Sequence, residues 1–183
     1  MRAVANRLPL PEYVIGLGET ELAAGRVVQG KRDLALVGAE ETLLHANGVN
    51  TDVELAVFEA DHGSPRRAVA LARKAWAEDP SIRAADALGW ALARAGNPAA
   101  GLPWAHRALR LGSLDPVYRS HAGLVAMAAG ERAEGRRDLA LAFKDGLDGY
   151  PWQARRARRV LAAGDTAAVR AAIASGDEAG APR

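Results

Sequence analysis

Two stretches of the chain nearly coincide: GKRDLALVGAE at Gly30–Glu40 and GRRDLALAFKD at Gly135–Asp145, 105 residues apart. A near-copy of one helix at that distance constrains the architecture strongly, because it has to come from an array of similar units. Glycines set the period. Gly25, Gly63, Gly96 and Gly130 lie 38, 33 and 34 residues apart, intervals that together span the 105 residues between the two copies. The copied helix therefore belongs to the first and fourth units of one array.

Other positions keep the same register. Seven residues before each glycine stands a small residue: Gly18, Ala56, Gly89 and Gly123. Leu17, Leu55, Leu88 and Ala122 precede these. Five residues after each glycine comes Gly30, Ala68, Gly101 or Gly135, and twelve after comes Val37, Ala75, Ala108 or Ala142. Small residues at these spacings let two antiparallel helices approach closely. The period glycines end the first helix of each pair, where a left-handed residue costs glycine least. Ser64 and Asn97 read as N-caps ahead of Pro65 and Pro98, and a proline in a first helical turn gives up no hydrogen bond. Aromatics make up only 5% of the chain, and Ala and Leu supply most of the apolar mass, so the fold is all-α. The helix pairs read as 11–24 with 28–47, 50–62 with 65–78, 82–95 with 98–111, 115–129 with 132–145, and a short pair at 151–163 and 166–174. A longer second helix in the first pair, stopping at Gly48, accounts for the 38-residue interval.

Leu-Gly, a glycine seven residues on, and small residues five and twelve beyond it resemble the tetratricopeptide repeat family. Asp86–Leu111, DALGWALARAGNPAAGLPWAHRALRL, is the closest match. The resemblance covers about residues 11–147. It implies a right-handed α-solenoid of about four hairpins (11–48, 49–81, 82–115 and 116–147), closed by a C-terminal capping helix pair at 148–175. Residues 1–10 form a lead-in and 176–183 a disordered tail. The opening ANRLPLPEY reads as the end of a second helix running into a new repeat, as in a fragment of a longer array. The repeat-end proline survives only as Pro80, Pro116 is shifted, and glycine replaces the usual alanine at 101 and 135.

In that family the first helices line a concave groove that takes a peptide or another protein's tail. Carried over by register, the groove positions include Glu12, Ile15 and Glu19 of the first unit, Val53 and Val57 of the second, and Val117, Ser120, Leu124 and Met127 of the fourth. The partner-binding candidates are Asn50, Glu54, Asp61, Arg83, Asp86, Trp90, Arg94 and His121. Trp90 is the expected apolar anchor, since aromatic and arginine side chains dominate binding hot spots. Arg83 and Arg94 would meet partner carboxylates, and Glu54, Asp61 and Asp86 partner basic groups or amides. The Lys/Asn/Lys/Arg set that grips a C-terminal carboxylate in some family members is missing at the matching positions.

The function classes that remain are few. Without cysteine there is neither a thiolate metal site nor a thiol nucleophile. No HExxH, P-loop or GxSxG elbow occurs. Glu54, Glu59, Asp61 and His62 sit within VNTDVELAVFEADHG, but Asn50 and Asp52 read as helix-capping residues and His62 as a helix-end residue. No catalytic residue, cofactor or metal is expected. Net charge is +2, without the concentrated basic face of a nucleic-acid binder. WQARRARRVL carries Arg155, Arg156, Arg158 and Arg159 on an expected solvated helix, with Ala154, Ala157, Val160 and Leu161 inward and an acidic protein as its possible partner. Arginines without interleaved aromatics disfavour nucleic acid. No apolar span or signal core appears, and the composition suggests a bacterial, cytoplasmic protein. The main reading is a non-catalytic module binding a protein or peptide. The alternative is a homo-oligomer assembling through a terminal hairpin, with Leu8, Leu10 and Ile15 at the edge. A lesser one is a ligand or metal sensor using the acidic centre.

Overall fold

A computed structural model describes residues 10–175. The described residues are helical and carry no strand. The helices are α1 (Pro11–Ala23), α2 (Val27–Leu34), α3 (Val37–Ala46), α4 (Asp52–His62), α5 (Pro65–Glu78) and α6 (Ile82–Arg94). There follow α7 (Pro98–Leu109), α8 (Pro116–Ala129), α9 (Arg132–Lys144), a 3₁₀ turn at Leu147–Gly149, α10 (Pro151–Ala162) and α11 (Thr166–Ala174). No helix among them is long and apolar enough to cross a membrane. The lead-in, with Leu8, the side chain of Glu12, and the tail at 176–183 lie outside the described residues.

Local chemistry explains the boundaries. Pro11, Pro65, Pro98, Pro116 and Pro151 open their helices, where the missing N–H has no intrahelical partner to lose. Ser64, Ser81, Asn97, Asp115 and Asp165 each accept a backbone N–H as N-cap. Gly130 ends α8 in the left-handed region at φ 106°. Gly63 does not follow that expectation: its φ is −127°. A Cβ there would stand 2.2 Å from Glu59 Oε2, so a side chain at this position would require the Glu59 carboxylate to shift. The expected single helix over 28–47 is also corrected. It breaks at Ala35–Leu36, where Leu36 N–H bonds the nearer Asp33 carbonyl and the turn tightens.

α1 packs against α2 and α3, each helix from α4 onward packs against the next, and α4, α6 and α8 also meet side by side. The small residues lie where the helices approach. Gly18 faces Gly30, Gly89 faces Gly101 and Gly123 faces Gly135, so that each glycine's missing Cβ would press on its partner's carbonyl oxygen. In the second hairpin Ala56 and Ala68 are fully buried. Every residue from Ala84 to Arg94 is buried in α6, and likewise Ser120–Ala128 in α8, the pattern of helices covered on all sides. The last two helices complete that cover. α11 packs on α8 through Val169 and Ile173. α10 crosses the side formed by the first helices and reaches α1. There Gln153 Nε2 donates to Glu19 Oε2 at 2.9 Å, and Arg155 Nη2 donates to the Ala23 carbonyl at 2.6 Å.

Candidate functional site

Where α10 meets the first helices, it leaves a pocket of about 640 Å³. Its apolar walls are Ile15 of α1, Val53, Val57 and Phe58 of α4, and Val117 of α8. Residues 149–153 close one side. Glu19, Glu54, Asp61, Arg83, Asp86 and His121 also line it. An apolar cavity of several hundred Å³ with a few convergent polar groups has the dimensions of a ligand site.

The chain matches no family model, no curated protein and no solved structure in the comparisons made. The site therefore has to be read from its own geometry.

Five of the eight partner-binding candidates converge on the pocket: Glu54, Asp61, Arg83, Asp86 and His121. The other three do not. Trp90 is not a groove anchor; it is fully buried and organises the polar core behind the pocket. Its Nε1 donates to Asp61 Oδ1 at 2.9 Å, and its ring stacks on His121 with centroids 4.8 Å apart. Arg94 is buried too, donating from Nε to the Ala60 carbonyl at 2.6 Å. Asn50 lies on the surface and donates to Glu78 Oε2, while its Oδ1 accepts the Asp52 N–H in front of α4. Ile15 lines the pocket rather than an outer edge. The apolar side chains that face outward near the N-terminal hairpin include Val27, Val28, Leu36 and Leu43.

The arginines of α10 do not form one solvated patch. Arg156 is 1% exposed, pairs through Nη1 with Asp61 Oδ1 at 2.6 Å, and lies over the Trp90 ring. Arg155 and Arg159 donate to the carbonyls of Ala23 and Ala172, and Arg158 pairs with Asp148 at the surface. Burial pushes the Asp61 carboxyl up. Arg156, with His62, His121 and Arg94 behind it, more than reverses this and holds the group at about 2.

Glu19, Asp61 and His62 bring ligand-type atoms within 4.8 Å of one another. Those atoms already have work. Glu19 takes His62 Nε2 at 3.0 Å and the Gln153 amide, while Asp61 takes Trp90 and the Arg156 guanidinium. A second cation beside Asp61 would oppose Arg156, so the trio reads as the bond between α1, α4 and α10.

The Asp86–His121 pair is different, because it is incomplete. His121 Nδ1 lies 2.9 Å from Asp86 Oδ2, and both side chains are almost fully buried. Burial works against the imidazolium. The Asp86 carboxylate, its hydrogen bond and Asp61 outweigh that, and His121 titrates above its ordinary value. The folded state therefore holds this proton more tightly than the unfolded chain. The stability it contributes is complete below about pH 6.5 and is lost as pH rises through the raised value. Between pH 6 and 9 the melting temperature of the wild type should fall more steeply than that of His121→Gln; parallel profiles would remove the pair from the stability balance.

The register identified the inner faces of the first helices but not Tyr13, Thr20, Phe58 or Tyr118 beside them, nor Trp152 and Gln153 from α10. The first four flank register positions on their helices. The last two required knowing where α10 docks.

Proposed function

We propose that the chain is a tetratricopeptide-like, right-handed solenoid that acts as a non-catalytic binding module, taking a short segment of a partner protein or peptide in the pocket between its first helices. The observation that supports this reading is the pocket itself: an apolar cavity of about 640 Å³ bordered by all four first helices. A short segment fits better than a long extended one, because α10 occupies the adjoining part of the same side.

Val57→Lys and Val117→Lys test the reading, since each puts a charge on a half-buried wall residue without touching the Trp90 network. In a capture experiment from cell lysate, the wild type should retain a partner that both folded variants lose. A partner retained equally by the wild type and the two variants would move the site elsewhere.

A further inference from the structure

The net charge of +2 conceals how the folded chain sorts its charges by helix. α1 and α4 carry carboxylates and no lysine or arginine. The second helices of the later hairpins reverse this. On α5, on α7 with the residue that ends it, and on α9, the side chains of Arg66, Arg73, Arg107, Arg110, Arg136 and Lys144 are exposed and form no ion pair among the described residues. The carboxylates of these three helices are few and engaged: Glu78 takes the Asn50 amide, Glu134 lies 2.6 Å from His106 Nε2, and Asp138 is buried. Two contacts join the helices into one surface. Trp76 of α5 meets Trp104 of α7 edge to face with ring centroids 5.0 Å apart, and the His106–Glu134 contact ties α7 to α9. Arg107 lies over both indoles, its Cζ 5.1 and 5.4 Å from their centroids. Aromatic faces rather than a carboxylate hold it, so its side chain is already ordered while its N–H fork stays uncommitted, and that fork matches phosphate bidentately.

We propose that this outer face, formed by α5, α7 and α9, binds the phosphate backbone of a single-stranded nucleic acid. The choice among polyanions rests on the rest of the surface. Among the described residues, no exposed large apolar side chain belongs to α5, α7 or α9; the nearest in the chain, Leu111 and Leu114, stand in the loop beyond α7. Trp76 and Trp104 are half-buried, with Arg107 over them. A helix face docks on an anionic membrane by sinking apolar side chains into it, and a protein interface has a core poor in charge. Phosphate contacts require neither, only cations with free donors. A single strand can follow cations spread over three helix ridges, whereas a duplex is stiff over this distance. The proposal is independent of the pocket and of what the pocket binds.

The test is fluorescence anisotropy of a labelled fifteen-nucleotide oligothymidylate with the full chain. Its Kd should rise by about two orders of magnitude between about 50 and 200 mM salt, the dependence expected for about six phosphate contacts on a single strand. The variant Arg66→Gln/Arg73→Gln/Arg136→Gln removes three exposed cations and strands no partner. In it the same rise should shrink to about one order of magnitude. An unlabelled duplex of equal length should compete less well than the oligothymidylate. Absence of binding at the lower salt, or a triple variant that keeps the wild-type salt dependence while its circular dichroism is unchanged, would overturn the proposal. So would binding to phosphatidylserine vesicles without binding to the oligonucleotide, which would make the face a membrane site. Polyglutamate that competes as well as the oligothymidylate would make the partner an acidic protein, and a duplex that competes better would overturn the choice of a single strand. The four probes are compared on the wild type, so a triple variant that fails to fold leaves the proposal falsifiable.

Discussion

Arg156→Ala should destabilise the protein by about 3–5 kcal/mol, the usual cost of removing one partner from a buried ion pair. The guanidinium is enclosed by Asp61 and the rings of Trp90 and Trp152, and its removal strands the Asp61 carboxylate with only the Trp90 N–H among the bonds described above. The size of the loss comes from the stranded charge more than from the bond. The double variant Asp61→Asn/Arg156→Met should therefore recover a large part of it, because no ion is left unpaired. Urea unfolding of Asp61→Asn, Arg156→Met and the double variant measures this as a cycle. The pH dependence adds a second signature. In the wild type the Asp61 carboxyl is held near 2, below its unfolded value of 3.8, so its contribution is present above about pH 4 and lost as pH falls through that interval. In Arg156→Ala burial dominates and the carboxyl moves up, so mild acid should relieve part of the defect instead of adding to it. Single variants that lose under 1 kcal/mol, with unchanged acid profiles, would mean that Arg156 is not buried against Asp61.

This pair also marks the limit of what the sequence made legible. The hairpins were readable because each depends on a local rule repeated four times, a small residue at the close approach and a glycine after the first helix, joined in the second and third hairpins by a cap and a proline before the second helix. Those rules reach only across neighbouring helices. Where one unit departed, as at Ala35–Leu36, the rule had no term for the break. At Gly63 it expected a left-handed backbone, and the residue instead has a φ of −127° beside the Glu59 carboxylate. The docking of α10 is a contact between chain ends, and nothing periodic encodes it. A signal was present nonetheless. Gln153, Arg156 and Val160 lie three and four residues apart, one stripe of a helix. All three are buried, so Arg156 belonged with Val160 on the inner face rather than with the other arginines. The acid groups that the register placed on inner faces needed a countercharge from somewhere in the chain. Trp90 shows the same ambiguity from the other side, because an aromatic at a groove position serves equally well as the floor under the groove.

Gly101→Leu should cost about 3 kcal/mol, at the upper end of what overpacking usually causes. In a chain of this length that lowers the melting temperature by about 6–12 °C. At Gly101 a Cβ would stand 2.6 Å from the Gly89 carbonyl oxygen, with Val125 Cγ1 at 3.3 Å behind it. Backbone cannot rotate away as a side chain can, so α6 and α7 would have to separate and the buried alanines along them would lose contact. Gly89→Leu should be milder, about 1–3 kcal/mol, because its nearest obstacle is the Ala105 nitrogen at 3.0 Å. Alanine gives the sharper comparison. Replacing a helical glycine by alanine normally stabilises by about 0.5–1 kcal/mol. At Gly38, within α3, a Cβ meets nothing within 4 Å, so Gly38→Ala should show that gain. Gly101→Ala should lose stability although the chemical change is identical, because the collision with the Gly89 carbonyl outweighs the propensity. Thermal unfolding of Gly38→Ala, Gly101→Ala and Gly101→Leu side by side decides the point. If both alanine variants gain stability, the helices do not approach at Gly89 and Gly101, and the small-residue register loses its physical basis.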